Sequence, residues 1–337
     1  PTSIAGDPRI VINAINTPGD DDSIFKITEP GSYVLAEDFS ITDPANQVGK
    51  DIIEVAVDGV TIDLSGFELN GRGLPPLITG SARTGITSTG ARRVRVHNGS
   101  ITNIGGDAVK LGDNCIVHSL RISNVVDAID VGEQAIVTDI TARGFFGSGI
   151  RALRYARIAG YSLNATTGNG GTFGVNAGQN SVVRDCVVTD AAFGYLLGGI
   201  AERCLAKACG VSFRVDGGGG PSRLVGCVSD GTTTGEGFFI ASPSAILIDC
   251  ISRSAATDGF RVLGFANDVT IRGSHSAMSG GAGITVEEGV NAAISDCHVA
   301  SSGTAGIQVR GSSVVTHCLV EASGTQGLGV GGSFNRI

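Results

Sequence analysis

A short pattern recurs along this chain: a small residue followed by an apolar, a variable and a second apolar position. It reads Ala108-Val109-Lys110-Leu111, Ala128-Ile129-Asp130-Val131, Gly149-Ile150-Arg151-Ala152 and Gly174-Val175-Asn176-Ala177. It returns as Gly194-Tyr195-Leu196-Leu197, Ser212-Phe213-Arg214-Val215, Gly237-Phe238-Phe239-Ile240, Gly259-Phe260-Arg261-Val262, Gly283-Ile284-Thr285-Val286, Gly306-Ile307-Gln308-Val309 and Gly327-Leu328-Gly329-Val330. Alternation with a period of two is a strand signal, and its return about every 20 residues is the mark of a repeat architecture. Each repeat carries a second strand, around Leu247, Ile271 or Ile294, and a third that starts near Cys250, Ser274 or Cys297. Three short strands make one coil of a parallel β-helix. A single coil cannot bury its apolar side, whereas stacked coils share one core and pair in register about 4.8 Å apart. The prediction is an all-β solenoid of about twelve coils.

The coils run from Asp51 to Ile337. Residues 1–50 do not repeat, and Ile24-Phe25-Lys26-Ile27 and Ser32-Tyr33-Val34-Leu35 read as strands around the Pro30-Gly31 turn, which predicts an N-terminal cap over an otherwise exposed coil edge. Phe334-Asn335-Arg336-Ile337 stops where another coil would begin, so the expectation there is a truncated or covered end.

Composition supports the pattern. The 337 residues include 52 glycines, 1 Met and no Trp, a poor recipe for helical bundles, and the glycines are assigned to positive-φ corners between strands. No apolar run reaches the ~18 residues that a membrane helix requires, so no membrane span is expected. Net charge is −8 with a pI near 5.1, and Lys and Arg gather into no stripe, which argues against nucleic acid. No phosphate-loop motif occurs, glycines 217–220 included, so no nucleotide or organic cofactor is expected. Six of the eight cysteines, Cys186, Cys204, Cys227, Cys250, Cys297 and Cys318, fall at one coil position, with Ser274 in the gap. That predicts a buried, unpaired ladder rather than disulfides or zinc.

Candidate chemistry lies on the outward positions of the first strand. One cluster is Asp107, Lys110, Asp127, Asp130 and Arg151, where two carboxylates one coil apart repel and raise one pKa while the cations offer a grip on an anionic sugar. The other is Arg214, Asp216, Glu236, Asp258 and Arg261, three acids for Ca²⁺ beside two guanidiniums. Between them Phe173, Phe193 and Leu196, with Asn176, form a platform on which a sugar ring could stack, unless they pack into the core or under a loop. The plainer alternative for both clusters is a solvated ion-pair ladder. The Asp20-Asp21-Asp22 run reads as a solvated turn and His275 with His298 as stacked surface histidines. Val187, Leu205, Val228 and Ile251 form an outward apolar stripe, a contact for a homotrimer or a seat for a covering loop.

From Asp51 onward the coil pattern resembles the right-handed parallel β-helix proteins of the pectate-lyase-like superfamily, and the opening Ile12–Asp20 with Pro30–Tyr33 is similar to uncharacterised secreted bacterial members. The resemblance implies a right-handed, single-stranded parallel β-helix, a secreted or cell-surface location and a polysaccharide partner. Its motifs are incomplete: no G-H-G or D-P-H occurs, and only Asp127 matches a polygalacturonase-like carboxylate position. The expectation is depolymerisation of an acidic, uronate-containing polysaccharide by β-elimination. Arg261 would abstract the proton with Arg214 beside it, and Asp216, Glu236 and Asp258 would hold Ca²⁺ against the substrate carboxylate. The alternatives are a glycoside hydrolase using Asp107 with Asp127 or Glu236 with Asp258, and a non-catalytic carbohydrate-binding or structural surface protein.

Overall fold

The alternating triplets become strands in the computed structural model, which describes residues 9–42, 47, 49–72, 83–88, 90–165, 172–216 and 221–331. From Val109–Leu111 to Ile307–Val309, the outer positions of every triplet are buried and the middle one faces outward. The chain divides into two compact units, residues 1–172 and 173–337. In the first unit, strands Ser23–Ile27, Asp51–Val55, Ile86–Ser88, Val109–Leu111, Ile129–Val131 and Ser148–Ala152 pair in that order, all parallel. In the second, Phe173–Ala177, Phe193–Leu197, Val211–Val215, Phe238–Ile240, Phe260–Val262, Ile284–Val286, Ala305–Val309 and Gln326–Val330 do the same. We call this the first sheet of each unit. From Asp51 onward it has thirteen strands among the described residues, against about twelve expected.

The rest of each coil forms the second face. In the second unit it is two short strands per coil, such as Val182–Arg184 and Val187–Thr189. In the first unit these merge into the longer strands Arg95–Thr102, Ile116–Val125 and Ile136–Phe145. The strands expected around Pro30-Gly31 are present, and they join the stack: Ser23–Ile27 lies parallel on Asp51–Val55, and Gly31–Val34 on Val60–Asp63. Residues 217–220 and 334–337 lie outside the described residues.

Glycine supplies some of the left-handed corners, as at Gly160, Gly226 and Gly273, but not most of them. Between second and third strands the chain turns through a left-handed residue, and this column reads Asn98, Ser119, Asp139, Gly160 in the first unit and Asp185, Arg203, Gly226, Asp249, Gly273, Asp296, His317 in the second. Most of these are not glycine, because Asn and Asp tolerate this region and the neighbouring coils hold the backbone in place. Many glycines instead sit where a side chain has no room. A Cβ on Gly259 would lie 2.0 Å from Ser276 Oγ, and one on Gly283 or Gly306 would lie 2.1 Å from a methyl of Val299 or Val320. The small position of the triplet is thus the socket for a third-strand side chain of the same coil.

The core of the second unit contains an aromatic column. Tyr195, Phe213, Phe238 and Phe260 stack with centroids 4.7–4.8 Å apart and planes within 6°, and all are fully buried. Burying such a side chain stabilises by about 1.5–3 kcal/mol, and stacking adds about 0.5–1.5 kcal/mol. The Tyr195 hydroxyl is satisfied against the carbonyls of Cys186 and Leu205, at 2.9 and 3.1 Å.

All eight cysteines are free thiols. The predicted ladder is buried from Cys186 to Cys297, with Ser274 in its gap, whereas Cys318 is only half-buried. Along the ladder each Sγ faces the carbonyl two residues back, as in Cys204 to Glu202 at 3.4 Å and Cys297 to Ser295 at 3.3 Å, and Ser274 Oγ makes the same contact with Arg272 at 3.1 Å. Outside the ladder, burial pushes the Cys115 thiol up to about 12 and Cys209 up to about 11.

Two measurements check this packing. A thiol reagent should modify Cys318 rapidly in native protein and all eight cysteines after denaturation; fast native modification of Cys204, Cys227 and Cys250 would contradict the ladder. In denaturant melts, Gly259→Ala should cost about 1–3 kcal/mol, the usual range for overpacking a filled core.

Candidate functional site

In the first unit, the middle positions of the first sheet stack as Lys26, Glu54, Thr87, Lys110, Asp130 and Arg151, in register from one strand to the next. Opposite charges alternate, so neighbours pair: Lys26 with Glu54 at 3.1 Å, Lys110 with Asp130 at 3.8 Å, and Arg151 with Asp130 through two bonds of 3.0 and 2.6 Å. Beside this column run Asp51, Thr84, Asp107, Asp127 and Ser148, one per coil. Arg83 holds Asp51 in a two-bond grip of 3.0 and 2.8 Å. Asp127 accepts the Ser148 amide and lies 3.4 Å from Arg151.

Asp107 differs from its neighbours. Its side chain is 15 % exposed, and its one ion pair among the described residues is a loose 3.6 Å contact with Lys110, itself 53 % exposed. Desolvation, and then the negative charge of Asp127, hold its carboxyl above the usual carboxylate range, partly offset by Lys110. The repulsion anticipated between the two acids is present, but burial outweighs it. Asp107 and Lys110 open onto a pocket of about 360 Å³ that is also lined by Asp51, Arg83, Thr84 and Thr87, at the lower end of the ~300–1,000 Å³ typical of small-molecule sites. Sequence reading missed Lys26, Glu54, Arg83 and Thr87. Their triplets Phe25-Lys26-Ile27 and Ile53-Glu54-Val55 carry the same alternation but are led by Ile24 and Ile52 instead of a small residue.

The second cluster assembles differently from the expectation. Arg261 donates to Glu287 at 3.1 and 2.8 Å and to Glu236 at 3.1 Å. The Glu287 bonds, with Glu236 adding to them, raise its pKa above the ordinary guanidinium value. A base must be deprotonated, whereas these bonds favour the charged guanidinium. Arg214 lies between two rings, 5.8 Å from the Phe193 centroid and 5.3 Å from Phe239, and bonds Asp216 at 2.6 Å. Cation–π contact fixes it there. Asp258 accepts the Ala282 amide at 2.8 Å. Asp216, Glu236 and Asp258 therefore each turn to a different partner, and no group of three acidic, His or Cys side chains suited to a metal forms among the described residues. The donor set does not fit the expected Ca²⁺. Glu287 is a corner residue just after its triplet, outside the columns that the repeat makes visible.

Phe173 and Phe193 stack at 5.1 Å and are half-buried, neither core nor fully open. Asn176 and Leu196 pair in register on the same face. His275 and His298 stack at 4.7 Å as expected, and Val187, Leu205, Val228 and Ile251 form an in-register, half-buried stripe. Asp20 is absorbed in its turn, accepting the amides of Asp22 and Ser23 and pairing with Lys26 at 2.6 Å. Among the described residues, no helix is long and apolar enough to cross a membrane.

Residues 202–337 match the family model described as the right handed beta helix region. The protein is a right-handed parallel β-helix. Comparison with curated proteins finds no match. Among solved structures this β-helix is similar to the A-module of a mannuronan C-5 epimerase from Azotobacter vinelandii, at 13% identity over 91% of each chain with a TM-score of 0.50. It is also similar to a double mutant of the tailspike protein of E. coli bacteriophage HK620 in complex with a pentasaccharide, at 8% identity over 87% of this chain and 72% of that one, TM-score 0.52. The catalytic domain of a GH87 alpha-1,3-glucanase in complex with nigerose aligns over 97% of this chain and 67% of its own at 11% identity, TM-score 0.46. At these identities the likeness to the epimerase module and the tailspike shows the fold alone.

The Asp107 environment is testable directly. Carboxyl NMR titration should place its pKa above that of an ordinary aspartate, Lys110→Met should raise it further, and Asp127→Asn should lower it. Because the native state holds this proton longer than the unfolded chain, stability should decline as pH rises from the ordinary aspartate value through the raised one. Asp107→Asn should remove that decline.

Proposed function

We propose that this β-helix protein acts on a polysaccharide lying across the first sheet of its first unit, with Asp107 as the proton donor to the glycosidic oxygen. The observation that carries the reading is the pairing of Asp107 and Asp127, two half-enclosed carboxyl groups one coil apart, beside a pocket whose rim holds the loosely engaged Lys110. Cleavage of a glycosidic bond by paired carboxyl groups requires one that keeps its proton at working pH, and a desolvated acid beside a second carboxylate meets that need. Lys110 would meet a carboxylate on the sugar, which favours an acidic polysaccharide. Similar folds whose descriptions name a mannuronan epimerase and a tailspike with a pentasaccharide agree in substrate class. β-Elimination loses support because Arg261, its intended base, is held protonated by Glu236 and Glu287.

Asp107 would donate its proton to the departing sugar oxygen as the glycosidic C–O bond breaks, and a water molecule would add to the anomeric carbon, its released proton restoring the Asp107 carboxyl. Asp127, anchored by the Ser148 amide and Arg151, would supply the negative charge that opposes the developing positive charge on the ring. A location outside the cell, where such polymers occur, belongs to the same proposal. So does assembly as a homotrimer through Val187, Leu205, Val228 and Ile251, since an outward apolar stripe gains from being covered. Val228→Asp with Ile251→Asp should then dissociate the oligomer in light scattering, and a wild-type monomer at high concentration would remove the trimer.

The deciding experiment incubates the protein with uronate-containing and neutral glycans and follows reducing ends together with the ultraviolet absorbance of unsaturated uronates. New ends without absorbance are expected, with a rate that falls as pH rises through the Asp107 pKa and drops at least 100-fold in Asp107→Asn, the usual contribution of a general acid being ~10²–10⁴. Absorbance rising with the ends would restore elimination. Neither signal, with glycan still bound, would make the protein a binding module.

A further inference from the structure

The second face of the first unit carries a separate polar site that the repeat pattern did not single out. Three parallel strands in register, Arg95–Thr102, Ile116–Val125 and Ile136–Phe145, present two outward columns: Ser100, Arg121, Thr141 and Thr102, Ser123, Arg143. Arg121 and Arg143 occupy adjacent strands, offset by two residues, so their Cα atoms are roughly 8 Å apart, within the reach of two long side chains. Both side chains are exposed, and both line an open pocket of about 490 Å³ together with Ser100, Thr102, Ser123 and Thr141.

This pocket brings together two arginines whose donors are not spent. Elsewhere in the first unit the arginines at positions 9, 83, 92, 93, 151 and 154 are each paired with a carboxylate, while Arg72, Arg95 and Arg157, like Arg121 and Arg143, have no ion pair among the described residues but do not line this pocket. Neither Arg121 nor Arg143 has an ion pair or a side-chain hydrogen bond among the described residues, and the hydroxyls of Ser100, Ser123 and Thr141 have none either. Glu68, at the edge of the pocket, is engaged by the Thr102 hydroxyl at 2.6 Å. No aromatic ring lines the pocket, so nothing in it would stack a nucleobase. Two planar guanidiniums lining one pocket with hydroxyl donors beside them offer the paired N–H donors by which arginine holds a carboxylate or sulfate, and the hydroxyls match the ring hydroxyls of a sugar.

We propose that Arg121 and Arg143 form an anion-binding subsite that grips the carboxylate or sulfate substituents of a polysaccharide, on a different sheet from Asp107. It rests on the glycan reading above for the class of ligand and not for any catalytic step. A chain held on this face would stay attached to the protein while its other segments reach the first sheet.

The test reads binding, so it stands whether or not cleavage occurs. Titrations followed by arginine side-chain NMR and by calorimetry would use oligogalacturonate, dextran sulfate oligosaccharides, neutral dextran of equal length and inorganic sulfate. Wild-type protein should bind at least one charged oligosaccharide tenfold or more above neutral dextran, with shifts at Arg121 and Arg143 and with weakening at high salt. Arg121→Gln and Arg143→Gln should each cost roughly tenfold, the share of one charge-assisted contact. Lysine at either position should restore part of that, Glu68→Gln should tighten binding, and Asp107→Asn should leave the arginine shifts in place. Both arginines are exposed, and circular dichroism would verify that the variants fold. Equal binding by the Arg121→Gln, Arg143→Gln double variant, no preference over neutral dextran, or inorganic sulfate binding as tightly as the oligosaccharides would each overturn the proposal.

Discussion

Every feature of this protein is subject to one spacing, the distance of a little under 5 Å between strands that hydrogen-bond side by side. It is visible in the aromatic column, whose centroids repeat at 4.7–4.8 Å. A side chain at a given coil position always meets the same position of the coils above and below. Like stacks on like in the interior, as Tyr195, Phe213, Phe238 and Phe260 do, and unlike charges alternate on the outside, as Lys110, Asp130 and Arg151 do.

Chemistry on such a surface comes from an interruption of the alternation. Asp130 stands between two cations and is neutralised by them. Asp107 has another acid one coil away and only a loose lysine for compensation, so burial decides its protonation. In the second unit the interruption is filled: Glu236 and Glu287 close around Arg261, and Phe193 and Phe239 around Arg214. Both clusters have similar composition. They differ in whether each charge has found its partner, and that is settled by side-chain direction.

That difference marks how far the sequence could be read. The repeat, the three strands per coil, the inward cysteines with Ser274 and the outward column were legible because periodicity alone assigns a residue to a face. The roles of Arg261 and Asp216 were not, since proximity in a column does not say which way a long side chain turns. Glu287 sits at a corner, where the period lapses, and Lys26 and Glu54 lie in triplets whose leading residue is isoleucine. Arg121 and Arg143 stand on second-face strands, which carry no counterpart of the small residue that marks the first strand in the sequence. Glycine was legible only in part: Gly160, Gly226 and Gly273 do serve turns, but the same column also uses Asn98, Asp139, Asp185 and Asp249, and other glycines answer a steric demand from a neighbouring strand.

The lock between a small first-strand residue and its third-strand partner limits how a chain of this kind can change length. Inserting one residue within Phe238–Ile240 would send Phe238 outward and detach it from Phe213 and Phe260, so strands admit no insertions short of a complete coil. The passage from third strand back to first has no such restriction. It takes three residues between Thr189 and Phe193 but seven between Asp230 and Phe238, with the aromatic stack continuous through both. Those passages, which border the outward face of the first sheet, are where descendants of this sequence could acquire new walls and new specificities while the interior stays as it is.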